Sequence, residues 1–99
     1  MPIRNLIVDG MLSGTGIRDA DAGGYVDPNE VGLSAHLVKR IAKWVFEHEN
    51  AQYYNFADKA ENERLDQEGV AITRLIRGEL PRTQVDYFPN AEMRKIAVI

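Results

Sequence analysis

Two apolar stripes at helical spacing, one on each side of the chain's midpoint, leave few ways for this sequence to fold. Leu37, Val38, Ile41, Ala42, Trp44 and Val45 cluster on one arc while Lys39, Arg40, Lys43 and Glu47 occupy the other, and Ser34 stands where an N-cap belongs. Leu65, Gly69, Ile72, Ile76 and Leu80 write a second helix that starts at Asn62 or Asp66 and stops before Pro81, with Arg74 and Arg77 turned outward. Each stripe needs an apolar surface to lie on, and the strand-like segments at the two ends of the chain are the only sheet available. Ile3 to Val8 is β-branched and closed by Asp9-Gly10, and Met11 to Arg18 reads as a second, weaker strand. Thr83 to Phe88 alternates polar and apolar residues, Pro89-Asn90 turns the chain, and Met93 to Ile99 supplies a last strand. The expectation is an α+β single domain over residues 1–99. In it two helices pack on one face of a small mixed or antiparallel sheet in the order β-β-α-α-β-β. A helical hairpin with unattached ends is the structural alternative.

Composition narrows the chemistry. At 99 residues the chain can bury a core without staples, and it has no cysteine, so disulfides, thiolate metal sites and cysteine nucleophiles are excluded. Twelve basic against fifteen acidic residues give a net charge of -3, with no general attraction to phosphate backbones or anionic lipid. Leu6-Ile7-Val8 is too short for a signal-peptide core or a membrane span, and the cytoplasm is the expected location.

Local signals refine the elements. Asp27-Pro28-Asn29-Glu30 starts a helical turn that Gly32 keeps short, and Ala51 to Glu63 holds the end of the first long helix and a connection. Gly69, inside an apolar stripe, implies close approach of another backbone or a helix that begins at Asp66.

Residues 19–30 resemble the twelve-residue EF-hand calcium loop. Asp19, Asp21 and Asp27 match the acidic positions, Tyr25 the carbonyl position, Gly24 the sharp turn, Val26 the apolar position and Glu30 the bidentate ligand. Gly23 supplies no oxygen where the family has its fifth ligand, and the glycines before the loop disfavour an entering helix. Such a half-motif would bind calcium at roughly 0.1–1 mM. Turn and cap chemistry accounts for the same residues without a cation.

Other sites carry less. Met1-Pro2-Ile3, a short strand and Gly10 resemble the start of tautomerases that use an amino-terminal proline, which implies Pro2 as acid or base and Arg4 or Arg18 on a substrate carboxylate. His36 and His48 lie about 120 degrees apart around a helix and cannot share a metal. His36 belongs on the polar arc, and His48 is placed to hydrogen bond last-turn carbonyls. No histidine and acid surround Ser34, and no Walker pattern follows Gly10 to Gly16. Lys39, Arg40 and Lys43 form a basic strip whose neighbour Glu47 makes it an ordinary solvated face. Phe46 lies at the edge of the apolar arc, and the adjacent Tyr53 and Tyr54 cannot both face inward. Some of this cluster stays exposed, as in surfaces that bind other proteins.

Asp27-Pro28-x-Glu30, Leu33-Ser34-x-x-Leu37 through Trp44, Leu65-Asp66-x-Glu68-Gly69 and Glu79-Leu80 resemble a loosely defined group of small uncharacterised bacterial α+β proteins. The resemblance rests on packing and capping residues. By analogy it implies a binding partner, an immunity-type inhibitor or a regulator. The expected function is a non-enzymatic protein-binding module, monomeric or homodimeric, without cofactor and without nucleic-acid or membrane partners. Phe46, Tyr53 and Tyr54 form its partner surface. The second reading is a weak calcium module through Asp19, Asp21, Tyr25, Asp27 and Glu30, and the third an amino-terminal proline enzyme.

Overall fold

A computed structural model of the chain describes residues 5–10, 14–54 and 56–88. The elements run β1 (Asn5–Asp9), β2 (Gly16–Asp19), α1 (Ala35–Tyr53), α2 (Lys59–Glu79) and β3 (Gln84–Phe88). The sheet is mixed, with strand order β2-β1-β3: β1 pairs antiparallel with β2 and parallel with β3. The expected α+β class, two helices and mixed sheet are therefore present. The described order is β-β-α-α-β, one strand short of the expected order, because Met93 to Ile99 lies outside the described residues.

Strand alternation builds the floor of the core. Leu6 and Val8 face the helices, and their cross-strand neighbours Val85, Tyr87 and Ile17 lie beside them. Onto this floor α1 brings Leu37, Ile41, Trp44, Val45 and Ala51, and α2 brings Leu65, Ile72 and Ile76. The other face of β1 carries Ile7 and Asp9, both buried.

Polar bonds register the two helices. Ser34 caps α1, its hydroxyl accepting from Leu37 N at 3.3 Å, while its own N–H and Oγ–H donate to the Glu79 carboxylate at 2.7 and 2.8 Å. The start of α1 is thereby tied to the end of α2. Midway, Arg40 grips Glu68 with two bonds of 2.7 Å, and Trp44 Nε1 donates to the Leu65 carbonyl at 2.9 Å.

Two boundaries differ from those read in the sequence. The helix α2 begins at Lys59, ahead of Asn62 and Asp66, because Asp58 is its cap and accepts from Glu61 N at 3.1 Å. The preceding connection is compressed: Tyr54 and Phe56 N–H groups both return to the Ala51 carbonyl, with Phe56 held at φ 55. The strand β2 starts at Gly16, at φ 96, and does not take in Gly14 or Thr15, while Met11 to Ser13 of the expected strand lies outside the described residues. Around Gly69 the close neighbours are aromatic side chains rather than a backbone. The rings of Tyr87 and Trp44 lie where a Cβ would stand, and the helix continues through this point.

Gly69→Ala therefore introduces a methyl into occupied space, 2.7 Å from Tyr87 Cζ and 3.0 Å from Trp44 Cζ2. Overpacking of about 1–3 kcal/mol outweighs the helix-propensity gain of about 1 kcal/mol, so a net loss of stability is expected in urea unfolding. Gly78→Ala, with nothing within 4 Å of its Cβ, should instead stabilise by roughly 0.4–1 kcal/mol.

Candidate functional site

Polar groups gather where β1 and β3 end side by side. Asp9 closes β1 and is buried, with Arg18 Nη2 at 3.5 Å and the Tyr25 phenol as a hydrogen-bonding neighbour. Burial and the Asp9 carboxylate together push the Tyr25 phenol up. The Arg18 guanidinium also lies 5.9 Å from the centre of the Phe88 ring. Sequence reasoning missed this cluster, because only the pairing of β1 with β2 and the isolated bridge between Arg18 and Tyr25 bring the three together.

On the helix side of the same strand ends, Tyr87 donates its hydroxyl proton to Asp66, and His48 sits inside the core at 2% exposure. This corrects the expectation for His48. Its ring packs against Trp44 at 5.1 Å and Phe56 at 5.5 Å and covers Gly10, so it does not reach out to the carbonyls of the last turn. Its Nδ1 is buried without a hydrogen-bond partner. Burial lowers the His48 pKa, opposed by the carboxylates of Asp66 and Asp9.

In the loop from Asp19 to Glu30, carboxylate oxygens of Asp19, Asp21 and Asp27 accept from nearby N–H groups. Asp19 Oδ1 accepts from the N–H groups of Asp21 and Ala22 at 2.9 and 3.0 Å, and both Asp21 oxygens accept from Asn5 Nδ2. Asp27 Oδ1 accepts from Asn29 N at 2.9 Å, while the Tyr25 side chain turns to Asp9. Glu30 closes a single turn through its N–H to the Asp27 carbonyl. Among the described residues no group of three or more His, Asp or Glu side chains surrounds one metal position. Pro2 and Arg4 lie outside the described residues.

The aromatic end of α1 is laid out differently. Trp44 is wholly buried, whereas Phe46, Tyr53 and Tyr54 are 73, 80 and 63% exposed. Phe46 and Tyr53 are seven residues apart, two turns along one line of the helix. The rings of Tyr53 and Tyr54 meet edge to face at 5.1 Å. Beside them the chain turns into α2 around a hollow of about 350 Å³, lined by Asn50, Ala51, Tyr54, Phe56, Ala57, Asp58, Glu61 and Asn62. Only the compressed connection creates this hollow, and no sequence signal announced it.

The sequence around this turn is rich in acids, of which Asp66 is bound by Tyr87 and Glu68 by Arg40. Residues 47–68 contain seven acids and two bases, more than the whole chain's net charge of -3. Arg64 takes Glu47 at 3.0 Å and also Glu61, whose carboxyl it holds below the usual range, and Arg40 does the same for Glu68. Lys39 and Lys43 stay exposed on the earlier turns of α1. No helix among the described residues is long and apolar enough to cross a membrane. Comparison of the chain with family models, curated proteins and solved structures gave no match.

His48 yields a pH prediction. Its pKa in the folded chain is below that of the unfolded chain, so its contribution to stability is full above the unfolded value near 6.5 and is lost as pH falls from there through the lower folded value. Between pH 7.5 and 5.5 stability should fall with a slope of at most about 1.4 kcal/mol per pH unit. In His48→Phe most of that slope should vanish in denaturant unfolding followed across the same range.

Proposed function

We propose that this protein is a non-enzymatic module that binds another protein through the exposed end of α1. One observation carries the reading: Phe46, Tyr53 and Tyr54 present three large rings to solvent while Trp44, on the same helix, is fully enclosed. Leaving aromatics in water forgoes burial of roughly 1.5–3 kcal/mol per side chain, and aromatics are the residues enriched at protein interfaces. The acidic surplus of residues 47–68 selects the partner's charge. It favours a protein with a basic face, whose approach it would accelerate in low salt. Binding of this kind needs neither cofactor nor bound metal, and its expected setting is the cytoplasm.

A photo-crosslinking amino acid placed at Phe46 or Tyr53 in the source cells tests this. The expected product is one discrete adduct with a second, basic protein, absent when the crosslinker stands at Arg74 on the exposed side of α2. With that partner purified, Phe46→Ala and Tyr53→Ala should each lower affinity at least about 30-fold, as at interface hot spots of 2 kcal/mol or more. Each should leave unfolding stability within about 0.5 kcal/mol, as expected for surface positions. Absence of an adduct, or an adduct only with a second copy of this chain, overturns the reading.

A further inference from the structure

We infer that the hollow between the end of α1 and the start of α2 is a receptor for one basic side chain, a lysine or arginine, of the partner. This rests on the protein-binding reading and names the group the surface takes in. The walls suit the stem of such a residue: Ala51, Phe56 and Ala57 are apolar, and the Tyr54 ring stands at the edge, where a cation can lie against its face.

The hollow also holds acceptors that lack donors. Asn62 commits its Nδ2 to the Phe56 carbonyl at 2.7 Å, which fixes the amide and leaves its Oδ1 buried with no hydrogen-bond partner. Leaving a buried acceptor orphaned is costly, and an incoming N–H group would satisfy it. Asp58, which also lines the hollow, gives one carboxylate oxygen to the Glu61 N–H as helix cap and brings its negative charge to the site. The helix ends point the same way. The α1 C-terminus, where carbonyl dipoles leave a partial negative charge, has no basic residue in its last turn. The opposite dipole of the α2 N-terminus is already met by Asp58 and Glu61. Glu61 on this wall already holds Arg64, so the place left for an incoming cation is beside Asp58 and Asn62.

The test titrates the full-length chain, observed by amide NMR, with N-acetyl-arginine methylamide, N-acetyl-lysine methylamide and N-acetyl-leucine methylamide. Saturable millimolar shifts are expected for the two basic probes at the Asn62 side-chain amide and at Tyr54 and Ala57, with none for the leucine probe. Asp58→Asn, which retains capping ability, should weaken the basic probes at least threefold, and Ala57→Leu, which fills the hollow, should abolish their binding. Equal shifts from the leucine probe, or shifts from the basic probes scattered over the acidic surface and indifferent to Ala57→Leu, overturn the inference. Failure here is separable from failure of the protein-binding reading. A crosslinked partner that binds Ala57→Leu as tightly as the unaltered chain removes the receptor and keeps the interface. Specific probe binding without any partner adduct keeps the receptor and removes the interface.

Discussion

The meeting of Trp44, Gly69 and Tyr87 holds this fold together. Each comes from a different element, α1, α2 and β3, and only the missing side chain of Gly69 lets both rings settle against α2. Polar tips then fix what packing brings together: the indole N–H bonds the Leu65 carbonyl and the Tyr87 hydroxyl bonds Asp66, one residue further along α2. With the rings set there, Leu6 and Val8 can reach Leu65, Ile72 and Ile76 in one continuous core. The arrangement explains why a glycine, ordinarily a poor choice inside a helix, occupies the middle of a 21-residue one.

Much of this was legible because it rests on local patterns. Helical spacing and the Ser34 cap specify the start and the buried face of α1, and alternation specifies β3, where Val85 and Tyr87 face inward. What escaped depends on pairing at long range. The Ser34 bonds to Glu79 join positions 45 apart, and the grouping of Asp9, Arg18 and Tyr25 exists only once β1 and β2 are side by side. The start of α2 was hidden for a different reason. Asp58 and Glu61 carry an ordinary cap signal, but the apolar stripe begins only at Leu65, so periodicity placed the start too late. His48 was misplaced because the helix end suggested carbonyl contacts, whereas the aromatic groove between Trp44 and Phe56 claimed the ring.

The candidate surface was legible in part and for a simple geometric reason. Tyr53 and Tyr54 are consecutive, about 100 degrees apart on a helix, so one apolar arc cannot take both rings. The hollow beside them was not legible, since it depends on Phe56 adopting a positive φ that bulky residues seldom take. That conformation is held from both sides. The Phe56 N–H returns to the Ala51 carbonyl and the Phe56 carbonyl receives the Asn62 amide. The same Asn62 that secures the turn is thereby oriented with its oxygen unsatisfied.

Two neighbouring regions at the same end of the helical layer, joined where His48 packs against Phe56 at 5.5 Å, differ in how far their groups are satisfied. Where β1 and β3 end, Asp9, Asp66 and Tyr87 find partners inside the protein, and His48 is enclosed by rings. Their carboxylates and hydroxyl are engaged, while His48 Nδ1 and Arg18 Nε are buried there without hydrogen-bond partners. At the α1–α2 turn the balance is reversed: rings lie in water, acids outnumber bases, and a buried acceptor waits without a donor. Each of these is unfavourable for the isolated chain and is relieved by the same event, the docking of an apolar surface that carries positive charge. Three deficits with one remedy, gathered where α1 turns into α2, make a stronger case for an interface than exposed aromatics alone.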